Sequence, residues 1–212
     1  MNPYEKLIEK ILAGPLFSDE LKAARKSFFG SASFVEDHPE SFDQHMSQFY
    51  DWYFFSRPLS GYSRTPLEVC EIPRELRYTP EEARYLQDLR GHVHSLFEFL
   101  KLRGSDVHVR DLIRDKKIVV SRSEKIFGFS EDVIFEARLI PAGDTWIFSR
   151  GFCFHPADVR KFILEEIKRH RKNPDLDPEE LMFRLARMRF LSEKYKHIRP
   201  EMIYSSEPKL TI

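Results

Sequence analysis

The sequence predicts an α+β fold with a helical N-terminal half, a small antiparallel β-barrel or meander, and a C-terminal helical hairpin. A repeated helix-start pattern, with proline in the first turn, predicts the helices. A two-residue alternation of apolar side chains through residues 94–154 predicts the strands. We expect one integrated domain, and its parts are residues 1–92 (helical), 93–155 (sheet), 156–199 (helical hairpin) and 200–212 (tail).

Four segments share one helix-start pattern, in which a capping side chain precedes a proline and a glutamate follows at the third helical position. The cap can accept a free backbone N–H, and the glutamate can bond back to the N–H of the cap. These segments begin at Asn2, Thr65, Thr79 and Asp177, and His155-Pro156 begins a variant of them. The predicted helices are 3–13, 18–30, 40–56, 65–71, 79–91, 157–171 and 177–197.

The alternating segment predicts five or six short strands, because apolar residues recur at every second position. The pairs and runs are Phe97/Phe99, Val107/Val109, Ile118/Val120, Val133/Phe135/Ala137/Leu139 and Trp146/Phe148. Turn-forming residues separate them, including Gly104-Ser105-Asp106, Gly128 and Pro141-Ala142-Gly143-Asp144. Leu181, Leu185, Met188 and Leu191 then form the apolar stripe of the last helix, and the turn around Pro174 predicts an antiparallel helix pair.

Composition excludes several classes of protein. With 42% hydrophobic and 14% aromatic residues, the chain can bury a sizeable core. Its apolar runs fall far short of the roughly 20 residues that span a bilayer, and its N-terminus does not resemble a signal peptide. Two cysteines are too few for a disulfide framework, so we expect a cytoplasmic protein that does not contact a membrane.

Short motifs that mark nucleotide hydrolysis, dinucleotide binding, serine hydrolysis or zinc proteolysis are absent from the sequence. The best catalytic candidate is Cys153, because His155 lies two residues away on the same strand face and Asp158 follows. Such a set would make a cysteine-dependent hydrolase or transferase. The simpler interpretation, which we favour, is a buried cysteine beside a histidine at a helix start.

The histidines of the sequence do not form a convincing metal-binding set. His92 and His94 lie two residues apart, and His108 could approach them across a hairpin. Zinc requires three or four converging ligands, so we expect no metal site and no cofactor.

Basic residues in the final helices raise the alternative of a nucleic-acid-associated regulator. The net charge is −5 over residues 1–99 (11 basic, 16 acidic) and +4 over residues 160–212 (13 basic, 9 acidic). The residues that could contact phosphates are Arg184, Arg187, Lys194, Lys168 and Arg171. Interleaved glutamates and a near-neutral pI favour a solvated helix pair instead.

The stretch FYDWYFF, residues 49–55, predicts a buried helix, since no Lys or Arg accompanies its rings as a base-stacking or membrane-surface helix would require. Asp51 interrupts the rings and Arg57 follows the helix. A buried carboxylate is costly without partners, so we expect Asp51 to bond an arginine or a backbone donor from another element.

The run FYDWYFFSRPL with Thr65-Pro-Leu-Glu, the run ARLIP at residues 137–141 and the F-x-H-P around His155 resemble an uncharacterised bacterial family. Some of its members carry a metal-binding SEC-C tail, whose cysteines this chain lacks. The resemblance spans residues 42–156 and implies one integrated fold and a bacterial origin. We expect a non-enzymatic binding or adaptor protein with a protein partner.

Overall fold

A computed structural model describes residues 2–30, 41–121, 129–131, 133–173 and 175–205, and the fold is α+β. The N-terminal helices are α1 (Pro3–Leu12), α2 (Pro15–Ser18), α3 (Leu21–Phe29), α4 (Phe42–Phe55), α5 (Pro66–Val69) and α6 (Pro80–Arg90). The strands are β1 (Val93–Arg103), β2 (Asp106–Asp111), β3 (Lys116–Ser121), β4 (Ile134–Ala142), β5 (Thr145–Phe148) and β6 (Cys153–Phe154). The C-terminal helices are α7 (Arg160–Lys172), α8 (Pro178–Lys194) and α9 (Pro200–Ile203).

The predicted capping mechanism is confirmed at three helix starts. Asn2, Thr65 and Thr79 each accept the backbone N–H of the third helical residue, whose glutamate bonds the N–H of the cap in return. Asp177 caps α8 differently, since its carboxylate accepts from the N–H of Glu179. The variant start at His155-Pro156 is confirmed in position but not in capping, because the 3-10 turn Ala157–Val159 begins there without a side-chain cap and leads into α7.

Other helix boundaries also differ from the prediction. The helix predicted over 18–30 corresponds to α3, which begins later, at Leu21, because the separate short helix α2 ends at Ser18. Gly30 ends α3 in the left-handed region at φ 72°. The tail contains α9, whose Ile203 and the following Tyr204 are buried. Residues 206–212, Gly128 and Pro174, on which further predictions were made, lie outside the described residues.

The strands form a mixed sheet, so the prediction of a purely antiparallel meander is wrong. β1 pairs with β2 and also with β4, over Val93–Glu98 and Ile134–Leu139, and β5 lies between β4 and β3. β3 and β5 are each connected to β1 through two antiparallel pairings, so they run in the same direction. Their parallel pairing consists of Val120 opposite Trp146, and the pairs β1–β2–β3–β5–β4–β1 follow one another in a ring.

The predicted alternation divides the sheet residues between two apolar clusters. Phe97, Val107, Val109, Phe135 and Ala137 belong to one cluster within the ring. On the opposite face of β1 and β4, Leu96 and Ile134 pack with the final helices, and their partners include Ile163, Ile167, Leu181, Leu185 and Met188. Glu166 of α7 pairs with Arg184 of α8 across the intervening turn, as expected for a helical hairpin.

The helix α4 lies in a third cluster, so the core interpretation of FYDWYFF is confirmed. Phe49, Tyr53, Phe54 and Phe55 are buried there with side chains of α1, α3 and α6. Tyr50 differs, because 41% of its surface is exposed. Among the described residues, no helix combines the length and apolar character needed to cross a membrane.

Candidate functional site

A cleft of about 170 Å³ lies where α4 and α8 meet the outer face of β1 and β4. Its walls are largely aromatic and its floor is polar. The residues that line it include Phe28, Trp52, Ser56, His94, Glu136, Arg138, Asp177, Glu179, Glu180 and Phe183.

The sheet register places the floor. His94 of β1 lies directly opposite Arg138 of β4, and Leu96 lies opposite Glu136. Because side chains two residues apart point to the same face of a strand, His94, Glu136 and Arg138 share the outer face. Two cations directly opposite each other would repel, so the carboxylates around them decide whether the arrangement is stable.

Two carboxylates hold the His94 ring. Its Nδ1 lies 2.6 Å from Oε1 of Glu179, and its Nε2 lies 2.9 Å from Oε1 of Glu136. Burial and the charge of Arg138 oppose protonation, but the two carboxylates outweigh them and raise the pKa of His94. The two carboxylates therefore favour the protonated ring, and both of its nitrogens are occupied by hydrogen bonds.

Glu179 also links α8 to α4. The hydroxyl of Ser56 donates to its Oε2 at 2.6 Å, and Arg138 donates to the oxygen of Ser56. The Arg138 guanidinium lies 3.5 Å from Oε2 of Glu179 and covers the ring of Phe55. Burial opposes the Glu179 charge, but the His94 hydrogen bond and the charges of His94 and Arg138 prevail and hold the pKa of Glu179 far below its usual range.

Asp51 lies beneath this floor and is bonded as the sequence predicted. Its Oδ2 accepts from the backbone N–H of Gly151 at 3.2 Å and from the hydroxyl of Ser149. Burial outweighs these bonds and the charge of Arg138, so the pKa of Asp51 is raised. Arg57 does not contact Asp51 but donates to Glu20 at 2.7 Å.

The aromatic wall is made by side chains from three helices. Trp52 of α4 stacks on Phe183 of α8, with ring centroids 5.6 Å apart, and Phe28 of α3 lies 5.0 Å from Trp52. Trp52 and Phe183 are only half-buried, so the wall is accessible from the cleft.

The thiol candidates converge, but with a different carboxylate from the one predicted. Glu136, Cys153 and His155 place one ligand-type atom each within 4.8 Å of one another. Asp158 instead lies exposed on the 3-10 turn, and no hydrogen bond or ion pair joins it to His155. Burial, reinforced by the Glu136 charge, raises the pKa of the Cys153 thiol well above its usual value, so the folded chain holds a neutral thiol.

The other predicted site residues each contact a different group. Arg184 pairs with the buried Glu166, and Arg171 donates to the carbonyl of Leu112. The remaining basic candidates are Arg187, which covers the Phe183 ring, Lys194, which lies over the Tyr195 ring, and Lys168, which is exposed on α7. The three histidines do not converge either, since His92 contacts Phe55 and Leu89 while His108 lies on β2.

His92 makes stability depend on pH. Burial, with the charge of Arg138, lowers the pKa of His92 to about 4, and its Nδ1 bonds the carbonyl of Leu89 at 2.8 Å. Between about pH 6.5 and pH 4 the His92 imidazole is protonated in the unfolded chain but neutral in the folded chain. The free energy of unfolding therefore falls as pH falls through this range. We expect His92→Gln to reduce this slope by about 1 kcal/mol per pH unit between about pH 6 and 5. Urea unfolding of both proteins across this window measures the difference, and equal slopes would contradict it.

Comparison with known proteins gives one match. A model of a family of unknown function, DUF7986, matches residues 33–184, which is 152 of the 212 residues. The chain belongs to this family. The DUF7986 region contains the cleft floor, Glu179, Cys153 and His155. Searches of curated proteins and of solved structures found no significant match.

Membership of DUF7986 confirms the coarser part of the sequence resemblance, namely an uncharacterised family. The match includes the whole of the segment at residues 42–156 that carries the resemblance. The SEC-C likeness and the bacterial origin stay predictions.

Proposed function

We propose that the chain is a non-enzymatic binding protein whose cleft receives a basic side chain of a protein partner. The observation that carries this proposal is the meeting of an acidic rim and an aromatic wall around one small cleft. In the floor, the cations His94 and Arg138 are balanced by Glu136 and Glu179. The rim then adds Asp177 and the exposed Glu180, so the cleft has surplus negative charge.

The size and the walls of the cleft favour one side chain over a larger ligand. Pockets for drug-sized molecules measure about 300–1,000 Å³, whereas this cleft measures about 170 Å³. Ring faces attract lysine and arginine heads, and Trp is the strongest of the rings in this respect. Trp52 and the acidic rim therefore complement a basic side chain in both shape and charge.

The floor supports binding over catalysis. A general base needs a free atom within hydrogen-bond reach of a substrate proton. Both nitrogens of His94 are occupied by carboxylates, at 2.6 and 2.9 Å. The network therefore stabilises the walls of the cleft and leaves recognition to the rim and the rings.

Tryptophan fluorescence tests the proposal, because the sequence has two tryptophans and one of them lines the cleft. In a Trp146→Phe protein the signal comes from Trp52. We expect short peptides rich in lysine or arginine to change its fluorescence and to bind, while peptides rich in glutamate do not. Equal binding of both peptide types, or no binding by either, would exclude the proposal.

A charge reversal at the rim adds a matched comparison. Glu180→Lys removes an exposed acidic group from the cleft and should weaken the basic peptides about fivefold, near 1 kcal/mol. Glu165→Lys makes the same change on an exposed part of α7 that does not line the cleft, and should leave binding unchanged. Loss of affinity in both variants would indicate a long-range charge effect and not recognition at the cleft.

Other sequence-based expectations remain proposals beside this one. We propose that the protein acts in the bacterial cytoplasm and that the strand ring closes as a small barrel, which the successive pairings and the phenylalanine-rich interior support. Nucleic-acid binding through the basic helices and thiol-dependent chemistry at Cys153 are weaker alternatives. The ion pair of Arg184 and the burial of Cys153 favour neither of them.

A further inference from the structure

Three side chains of the types that bind transition metals meet behind the floor of the cleft. Glu136 of β4 lies directly opposite Cys153 of β6 in the strand register. His155 follows two residues later, and its backbone N–H bonds the carbonyl of Ile134 at 3.0 Å, which keeps it beside β4. The ligand-type atoms of the three residues lie within 4.8 Å of one another.

In two of the three side chains, one polar atom is hydrogen-bonded and the other has no hydrogen-bond partner among the described residues. The Nδ1 of His155 lies 3.0 Å from the hydroxyl of Tyr204, and Oε1 of Glu136 lies 2.9 Å from His94. The remaining atoms, Nε2 of His155 and Oε2 of Glu136, are buried without a hydrogen-bond partner among the described residues. His155 as a whole is only 2% exposed. Unpaired buried polar atoms are costly, so this pattern requires an explanation.

A bound divalent cation explains the pattern. Metal-ligating histidines are oriented by a hydrogen bond at their other nitrogen, and ligating carboxylates are hydrogen-bonded in turn. Tyr204 and His94 occupy these supporting positions. A thiolate, an imidazole and a carboxylate form a donor set that suits zinc.

We propose that Glu136, Cys153 and His155 bind a divalent transition metal ion, with zinc as the best fit. On binding, the Cys153 sulfur forms a bond to the metal and its proton leaves to solvent. Three protein ligands leave the fourth tetrahedral position to a water molecule or another small donor. The site would fasten β6 to β4 and, through Tyr204, fix the segment that follows α9. Glu136 lies far from the other two residues along the chain, so sequence spacing alone does not bring the three ligands together.

Cobalt and zinc binding to the full chain tests the proposal. After chelation, the protein is titrated with Co²⁺, whose thiolate coordination gives a charge-transfer absorption band, and with Zn²⁺ in competition with a chromogenic chelator. We expect one equivalent of metal per chain and the cobalt–thiolate band in the wild type. Cys153→Ser should abolish the band, and Tyr204→Phe should weaken zinc binding about 10- to 100-fold.

Cys70 supplies the matched control, because it is the second free cysteine and is equally buried. Its thiol bonds the carbonyl of Leu67, in the helical half of the chain. Cys70→Ser should keep the band and the stoichiometry. A folded wild type without the band, or a band that Cys70→Ser removes, overturns the proposal. If Cys153→Ser does not fold, the wild type and Cys70→Ser decide the question by themselves, since a band present in both assigns the thiolate to Cys153.

Discussion

Gly151→Ala is expected to lower the free energy of unfolding by about 3 kcal/mol. A Cβ at this position would lie 2.5 Å from Oδ2, 2.7 Å from Cγ and 2.8 Å from Cβ of Asp51. Asp51 is buried in α4 and bonded to Ser149 and Gly151, so it cannot move aside freely. Overpacking costs about 1–3 kcal/mol, and displacing Asp51 would also break the hydrogen bond from the Gly151 N–H.

Urea unfolding of three proteins measures this effect. Gly104→Ala is the control, since Gly104 has φ +61° but nothing within 4 Å of an added Cβ. It should cost only about 1 kcal/mol, which is the strain of the left-handed backbone. In an Asp51→Ala background, two of the three crowding atoms are gone, so Gly151→Ala should cost clearly less. A cost at Gly151 no larger than at Gly104 would show that the close approach to Asp51 is not tight.

Arg138→Met is expected to cost about 3 kcal/mol. Methionine keeps the apolar stem but removes the guanidinium that binds Ser56 and faces Glu179. The side chain of Arg138 is only 3% exposed, and removing one partner of a buried ion pair typically costs about 3–5 kcal/mol. Glu179 keeps its bond to His94, which limits the loss. The retained stem and the partial exposure of Glu179 place the expected loss at the lower end of this range.

Arg110→Met is the matched control for Arg138. Arg110 also lies on a strand and pairs with a carboxylate, that of Asp115 at 2.6 Å, but the two side chains are 44% and 49% exposed. Exposed ion pairs contribute little to stability, so this variant should stay close to the wild type in thermal and urea unfolding. Equal losses of unfolding free energy in the two variants would mean that burying Arg138 and its partners does not strengthen their contribution to stability.

Local chemistry was enough to predict much of the fold. Asn2, Thr65 and Thr79 begin helices because their caps and glutamates satisfy each other within four residues. The strand positions could also be predicted locally, because the alternation of apolar side chains is visible within each short segment. The pairing of β4 with β1 could not be predicted in this way, because register depends on contacts between segments distant in the chain.

The candidate site was harder to predict than the fold, because its residues come from segments that are distant in the chain. The spacing of Cys153 and His155 predicted that the two side chains lie close together, as they do, but the carboxylate beside them is Glu136, which the cross-strand register supplies. Glu136 and Arg138 were present in the sequence only as the polar positions of an alternating strand. Glu179 was present only as part of a capping pattern, because nothing local indicates that the start of α8 meets His94.

Within the part of the chain that the structure describes, β3 and β5 share a single residue pair, which affects how the ring can move. Beyond Val120 and Trp146, this junction has the bond between the hydroxyls of Ser121 and Thr145 at 2.9 Å, whereas β1 and β4 are joined over six residue pairs. Local opening begins where few backbone hydrogen bonds must break. We therefore expect local opening of the ring to begin between β3 and β5, while the β1–β4 ladder, and with it the cleft floor, stays closed.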